Sequence, residues 1–189
     1  MMERLKGKLL ILCGVPGSGK TTLQNYLLAN HGFTKVITHT TRPKRVGEIN
    51  GIDYYFEDKT SFFTKNYLES VSYAGNYYGS SYEGLKQALQ AKGRAVIVLD
   101  TKGAATYVAK LAPENVVVVF VKIPREIQAK RLQKRGDSPS QIKQRLASQE
   151  AKRDQKLPKA LENQAYELEN LDLSKTYQKL SAFVTATFE

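Results

Sequence analysis

The sequence predicts an α/β fold in which helices cover both faces of a parallel sheet. Three short apolar runs, 9–13, 95–99 and 116–123, are typical of strands that are buried on both faces. Patterns typical of helices alternate with these runs, which is the order expected of a doubly wound sheet. Helices are predicted at 20–30, 83–91 and 101–111.

The first predicted strand leads into a glycine-rich turn at 14–21 that has the spacing of a phosphate-binding P-loop. Its glycines let backbone N–H groups reach phosphate oxygens, and the following helix adds the partial positive charge of its N-terminus. Lys20 can reach the β- and γ-phosphates, and the Thr21 hydroxyl can hold Mg²⁺. An ordinary strand-to-helix turn is the alternative. The predicted ATP-binding residues of this loop are Gly14, Val15, Pro16, Gly17, Ser18, Gly19, Lys20, Thr21 and Thr22.

A segment with a different composition follows the first helix. Residues 36–38 predict a second short core strand, whereas 39–82 are rich in polar, aromatic and glycine residues. Such a composition favours short strands and turns. We therefore expect a small lobe beside the sheet.

The last third of the chain is predicted to be mainly helical. One helix follows Pro124 and runs to about residue 135, and a second runs from about 139 to 153 with Ser138 as its cap. The tail, 159–188, is expected to be helical with a break near 170–173.

The bulk composition indicates one soluble globular domain. The 189 residues are 41% hydrophobic and 25% charged, and Cys13 is the sole cysteine, so no internal disulfide can form. No apolar run approaches the roughly 18 residues that span a membrane. We therefore expect a cytoplasmic protein with no membrane partner.

The net charge of +11 is concentrated in one segment. Between Lys122 and Lys159 there are twelve basic residues and four acidic ones. A nucleic acid, a polyphosphate substrate or a merely solvated helix face could each account for such a segment.

Further motifs follow the P-loop in a fixed order. They are Thr-Thr-Arg-Pro-Lys-Arg-Val-Gly-Glu at 40–48, Asn-Gly-Ile-Asp-Tyr-Tyr-Phe at 50–56, Gly-Asn-Tyr-Tyr-Gly-Ser at 75–80, Leu-Asp-Thr-Lys-Gly at 99–103 and Arg-Leu-Gln-Lys-Arg-Gly at 131–136. Together they resemble the guanylate kinase family of P-loop nucleoside monophosphate kinases. The resemblance implies transfer of a phosphoryl group from ATP to GMP, with Mg²⁺ as cofactor. It runs from the P-loop to Asn170, which matches a position near the adenine of ATP in that family.

In the family, the residues that match Arg42, Arg45, Tyr54 and Tyr78 bind the phosphate of GMP. The residue types suit that task. Two guanidinium groups can hold one phosphate through forked hydrogen bonds, and phenolic hydroxyls donate without adding charge.

The resemblance also implies which residues recognise the base. Glu69 matches the carboxylate that recognises guanine, and Ser80 and Thr38 match hydroxyls at the base edge. An ionised carboxylate can accept from both the N1–H and N2–H donors of guanine, a donor pair that adenine lacks. Asp100 is expected to contact the acceptor or to order a Mg²⁺-bound water.

Arg131, Arg135 and Arg145 match the mobile lid of such kinases. Cations that arrive on lid closure can stabilise the charge spread over the transferred phosphoryl group. The basic segment is then explained by a polyphosphate substrate, and we expect no nucleic-acid partner. The predicted catalytic residues are Lys20, Arg42, Arg131, Arg135 and Arg145.

Three positions depart from the family pattern. Val98 stands where an acidic residue is common, so the resemblance supplies no metal ligand beyond Thr21. Thr38 replaces a frequent serine but keeps its hydroxyl, and Lys102 replaces a glutamine.

The resemblance further predicts three parts of a single domain, with the oligomeric state open between monomer and dimer. The core is expected at about 1–37, 83–124 and 155–189, the GMP-binding lobe at about 38–82 and the lid at about 125–154.

Two other functions are open to a sequence of this kind. Guanylate-kinase-like modules of cell-junction scaffolds bind peptides instead of catalysing, but they typically have a degraded P-loop. A related kinase could act on another phosphorylated small molecule, such as a ribose phosphate. Such a kinase would have no use for the base-recognising Glu69 and Ser80.

Overall fold

The structure, a computed structural model, describes residues 5–73 and 75–188. Residues 1–4, 74 and 189, which the predicted core and lobe include, lie outside the described residues. In chain order the strands and helices are β1 (Lys8–Cys13), α1 (Lys20–Asn30), β2 (Thr34–Lys35), β3 (His39–Thr40), β4 (Tyr55–Phe56), α2 (Lys59–Phe63), β5 (Tyr67–Tyr73), β6 (Asn76–Ser81), α3 (Tyr82–Lys92), β7 (Arg94–Val98), α4 (Thr101–Lys110), β8 (Val116–Lys122), α5 (Arg125–Lys134), α6 (Pro139–Ala147), α7 (Gln149–Arg153), β9 (Ala165–Glu169) and α8 (Leu173–Phe188).

The larger sheet is parallel throughout and has the strand order β2-β7-β1-β8-β9. Successive side chains of a strand point to opposite faces, and β1 uses both faces. Leu9 and Ile11 pack with residues of α3 and α4, whereas Leu10 and Leu12 pack with residues of α1 and α8. Helices therefore cover both faces, which confirms the predicted α/β fold.

The smaller sheet has the order β4-β3-β6-β5 and is mixed, because β3 pairs parallel with β4 and antiparallel with β6. The predicted core strand at 36–38 is wrong. Strand β2 ends at Lys35 on the larger sheet, and β3 begins at His39 on the smaller one. Residues 36–38 cross between the two sheets: the N–H of Val36 still bonds to Val96 of β7, whereas the carbonyl of Thr38 already accepts from Tyr55 of β4, so they form no strand of their own.

The tail was predicted to be helical from 159, but it contains the edge strand β9 and becomes helical only at Leu173. Leu168 is the one fully buried side chain of β9, while its neighbours Glu167 and Glu169 are exposed. The strand therefore lacks the continuous apolar run that marks the inner strands. The expected break near 170–173 is where β9 ends and α8 begins.

The second helix of the basic segment is interrupted, although it was predicted to be continuous from 139 to 153. Ser148 has extended backbone angles and accepts a hydrogen bond from the backbone N–H of Ala151, so it ends α6 and caps α7. The cap predicted at Ser138 is confirmed. Its hydroxyl accepts from the N–H of Gln141, whose side chain accepts from the N–H of Ser138.

Within the described residues, no helix combines the length and the apolar content needed to cross a membrane.

Replacing Leu180 by Ala tests whether α8 is an integral part of the core. Leu180 is fully buried against the sheet, so Leu180→Ala should lower the free energy of unfolding by about 2–5 kcal/mol through lost transfer energy and a residual cavity. Urea unfolding is the measurement. The exposed neighbour Lys179→Ala is the control and should stay within about 0.5 kcal/mol of the parent. Equal losses in the two variants would contradict this packing.

Candidate active site

A cleft of about 620 Å³ opens at the carboxyl ends of the parallel strands, between the larger sheet, the smaller sheet and helices α5 and α6. Ligands of open α/β sheets bind at this edge. Most of the predicted site residues lie on its wall, although their numbers span most of the chain. They are Gly14, Pro16, Gly17, Gly19, Lys20, Thr21, Thr22, Thr38, Arg42, Arg45, Tyr54, Glu69, Tyr78, Asp100, Arg131, Arg135, Arg145 and Asn170.

Three predicted site residues are not on the wall: Val15, Ser18 and Ser80. All three are buried, with at most 2% of their surface exposed. The side chains of Val15 and Ser18 face into the protein at the P-loop. Ser80 lies behind Glu69, so its hydroxyl contacts a carboxylate and not the open cleft.

At Gly14 and Gly19 the P-loop has neither the backbone angles nor the space for another residue type. Gly14 has φ 132° and Gly19 has φ 95°, a region that other residues rarely adopt. A Cβ at Gly14 would lie 2.5 Å from the carbonyl oxygen of Val121, and one at Gly19 would collide with the side-chain amide of Asn170. Within the described chain, no side chain caps the N-terminus of α1 and its first turn has no acidic residue. Its backbone N–H groups are therefore open to an anion.

The side chain of Lys20 is held by hydrogen bonds to the backbone of the P-loop. Its Nζ donates to the carbonyl oxygens of Gly14 at 2.7 Å and Val15 at 2.8 Å. Burial lowers the pKa of Lys20 to about 8, while Asp154 and Asp100 act in the opposite direction. The ammonium group has therefore lost much of its hydration and gains from any anion that enters the loop.

On the opposite wall, Arg42 and Arg45 lie beside Tyr54 and Tyr78. The guanidinium of Arg42 is 2.7 Å from the Glu48 carboxylate and 5.4 Å from the ring centre of Tyr54. The other oxygen of Glu48 accepts from the backbone N–H of Arg45. Burial, and then the nearby Arg42, lower the pKa of Arg45, which reports two cations crowded in one place. This wall can bind an anion between the two guanidinium groups.

Glu69 is a buried carboxylate at the floor of the cleft, with 5% of its surface exposed. One oxygen accepts from the Ser80 hydroxyl at 3.3 Å, and the other, Oε2, has no hydrogen-bond partner among the described residues. Burial and the neighbouring Asp100 raise the pKa of Glu69 to about 7. A buried, half-satisfied carboxylate of this kind gains strongly from a ligand with N–H donors.

The three arginines of the predicted lid line the cleft: Arg131 on α5, Arg135 directly after it and Arg145 on α6. Arg131 donates to the carbonyl oxygen of Asn170 at 2.7 Å, and so lies directly over the P-loop. Arg135 pairs with Asp137 at 2.7 Å, and Arg145 approaches the same carboxylate oxygen at 3.7 Å. One acidic side chain therefore keeps two of the cations together.

Residues 6–187 match the family model described as guanylate kinase. The chain belongs to the guanylate kinase family. It is 41% identical over 149 residues to a guanylate kinase of Neisseria gonorrhoeae, which covers 76% of this chain and 72% of the relative. It is also 33% identical over 192 residues to a guanylate kinase of Protochlamydia amoebophila, over 97% of this chain and 92% of the relative.

The fold agrees with a solved member of the same family. The crystal structure of guanylate kinase from Anaplasma phagocytophilum superposes with a TM-score of 0.68, covering 99% of this chain and 88% of that one. At 24% sequence identity, this likeness shows the fold alone.

Sequence reasoning missed a buried ionic cluster in this guanylate kinase family member. Arg153 donates to Asp100 at 2.6 Å and to Asp154 at 3.0 Å, and Asp154 accepts from the Thr101 hydroxyl at 2.6 Å. Asp154 is 1% exposed and lines the cleft near Lys20. The segment around 153 and 154 follows the family pattern only loosely, so no motif marked it. The cluster fixes the end of α7 to the start of α4.

Glu48 and Asp137 were also missed as partners of the predicted arginines. Glu48 does lie inside the 40–48 motif, and its acidic character next to Arg42 and Arg45 was the available signal. Asp137 follows the lid helix directly and is one of the four acids in the basic segment.

The lowered pKa of Lys20 predicts a pH-dependent stability difference in the nucleotide-free protein. Between about pH 8 and the ordinary lysine value of 10.5, the unfolded chain holds a proton that the folded chain has released. Stability of the parent should therefore rise relative to Lys20→Met over this range, by about 1–3 kcal/mol. Urea unfolding at pH 7 and pH 10 measures the difference.

Lys86→Met, on the exposed side of α3, removes a lysine charge from the surface and is the control. Its stability difference from the parent should not change with pH in this way. A parallel pH response of the two variants would contradict the buried state of the Lys20 ammonium.

Proposed function

We propose that this chain transfers the γ-phosphoryl group of ATP to GMP, giving ADP and GDP. The observation that supports this best is the presence of two anion sites and a buried carboxylate in one cleft. The P-loop forms one wall, Arg42 and Arg45 form the opposite wall, and Glu69 lies at the floor.

On the donor side, the N–H groups of the P-loop and the N-terminus of α1 bind the phosphates of ATP, and Lys20 reaches the β- and γ-phosphates. Lys20 then exchanges its two carbonyl contacts for phosphate oxygens. Asn170, close to Gly19, borders the region proposed for adenine.

Mg²⁺ would enter with ATP, and Thr21 is its proposed protein ligand. Thr21 lies on the cleft wall and its side chain is exposed. Among the described residues, no group of three or more acidic, histidine or cysteine side chains could hold a metal ion. That fits Mg²⁺ bound to ATP, which usually takes most of its ligands from phosphates and water. The ion would neutralise phosphate charge as the terminal group leaves.

On the acceptor side, Arg42, Arg45, Tyr54 and Tyr78 hold the phosphate of GMP in line with ATP. Ionised Glu69, whose one hydrogen bond in the described residues comes from Ser80, accepts from the N1–H and N2–H donors of guanine. Adenine offers an acceptor at N1, which would leave the buried charge unpaired. Thr38 and Asp100 border this pocket.

The proposed lid supplies the charge that the transferred group needs. Arg131, Arg135 and Arg145 face the cleft from α5 and α6, and they can close over the phosphoryl group and exclude water. Together with Lys20 and Arg42, these arginines are the proposed catalytic residues. No covalent enzyme intermediate is needed, because the acceptor phosphate itself is the nucleophile.

We also propose a cytoplasmic location, which the single buried cysteine supports, since it can form no internal disulfide. The oligomeric state stays open between monomer and dimer.

A coupled assay with GMP, AMP, CMP and UMP tests the function. The parent should favour GMP over the other acceptors in kcat/KM, and Lys20→Ala should lose turnover with every acceptor. Equal activity with all four acceptors would refute the proposal.

Glu69→Gln should lower the GMP-to-AMP ratio of kcat/KM by about 100-fold or more. The amide places an N–H donor where guanine also donates, while it can pair with the donor and acceptor edge of adenine. Glu83→Gln makes the same chemical change on the exposed first turn of α3 and should leave the ratio unaltered. An unchanged ratio in Glu69→Gln would remove Glu69 from base recognition.

A further inference from the structure

A chain of two buried hydroxyl groups ends at Glu69. Tyr107 on α4 is fully buried, and its hydroxyl donates to Ser80 Oγ at 2.8 Å. Ser80, also fully buried, donates to Glu69 Oε1 at 3.3 Å. Tyr107 is therefore linked by hydrogen bonds to Glu69 at the floor of the cleft, although it does not line the cleft itself.

The direction of this chain is set by chemistry. A serine hydroxyl has one proton, and an ionised carboxylate can only accept. Ser80 must therefore donate toward Glu69 and needs a donor for its own lone pair. Burial raises the pKa of Tyr107 above its ordinary value, so the phenol keeps its proton and supplies that donor.

We propose that Tyr107 is a positioning residue for base recognition, acting through Ser80 to fix the orientation of the Glu69 carboxylate. The Ser80 bond holds Oε1, while Oε2 is buried without a hydrogen-bond partner among the described residues. Close packing supports a fixed orientation, since a Cβ at Gly103 would lie only 3.1 Å from Oε2. The inference deepens the proposed function and rests on it.

The same chain also affects the charge of Glu69. Burial and Asp100, the cap of α4, favour the protonated acid. The hydrogen bond from Ser80 on β6, and then Lys110 and Lys102 on α4, favour the carboxylate. Removing the Tyr107 hydroxyl frees Ser80 to rotate away from Glu69. The carboxylate then loses a stabilising donor, and a higher pH is needed to ionise it.

Tyr107→Phe tests this inference through the pH profile of kcat/KM for GMP. The acid limb of the profile should move to higher pH, and kcat/KM at pH 6.5 should fall by about 3- to 10-fold, the size of one hydrogen bond. The loss should shrink at pH 8.5 as Glu69 ionises. The KM for ATP should not change, because the hydrogen-bonded chain of Tyr107, Ser80 and Glu69 includes no residue of the P-loop.

Tyr67→Phe is the matched control. Tyr67 lies on β5, and its buried hydroxyl has no hydrogen-bond partner among the described residues. Tyr67→Phe also removes one buried phenolic oxygen, but this oxygen makes no hydrogen bond to Ser80 or Glu69. The pH profile of this variant should therefore superpose on that of the parent.

Ser80→Ala provides a second route if Tyr107→Phe folds poorly. It should shift the acid limb in the same direction, and adding Tyr107→Phe to Ser80→Ala should shift it no further, because the two hydroxyls act as one unit. Additive shifts would overturn the proposed chain. So would a Tyr107→Phe profile that superposes on the parent, or a loss that is equal at all pH values and extends to ATP.

Different results would refute the proposed function and the role of Tyr107. A parent protein that does not phosphorylate GMP preferentially refutes the proposed function and this inference together. A selective parent whose Tyr107→Phe variant keeps the parental profile refutes the inference alone.

Discussion

The concentration of positive charge in one cleft is the constraint on which the rest of the structure depends. Lysine and arginine side chains from the P-loop, the smaller sheet and two helices face a shared volume of about 620 Å³. Like charges repel there, and each has lost part of its hydration. Within the described chain, acids and carbonyls offset this cost: Glu48 beside Arg42, Asp137 beside Arg135, and loop carbonyls around Lys20. Phosphate oxygens can replace each of these partners.

The partners differ in how easily they are exchanged. Arg135 and Asp137 form a partly exposed pair, and such pairs contribute little to stability. Arg153 is itself 33% exposed, but its partners Asp100 and Asp154 are only 7% and 1% exposed, so removing Arg153 would leave buried carboxylates without their cation. The contact between Arg135 and Asp137 is therefore easily broken, whereas the end of α7 is held to the core through Arg153. That distribution suits a lid that closes over a substrate and opens again.

Sequence patterns predicted the inner strands and the P-loop because each has a local signal: a continuous apolar run, or glycines at fixed spacing. The edge strand β9 was missed because only Leu168 is fully buried, and the break at Ser148 because one serine hardly alters a helical pattern. The family motifs brought most of the cleft residues together. The contact of Arg153 with Asp100 spans 53 positions, and Tyr107 resembles any core tyrosine, so neither had a signal along the chain.

Burial shifts the pKa values of Lys20 and Glu69, both of which line the cleft, in opposite directions. It lowers the pKa of Lys20 to about 8 and raises that of Glu69 to about 7, so each group is moved toward its neutral form. The proposed function needs both groups charged, because an ammonium attracts phosphate and a carboxylate accepts the donors of guanine. Each substrate restores the charge that burial opposes, since phosphate favours the ammonium and guanine favours the carboxylate. The hydrogen bond from Ser80 acts on Glu69 in that same direction before any substrate arrives. In the proposed function, the stabilisation of the charged Glu69 is therefore shared between the protein, through Ser80, and the guanine that it binds.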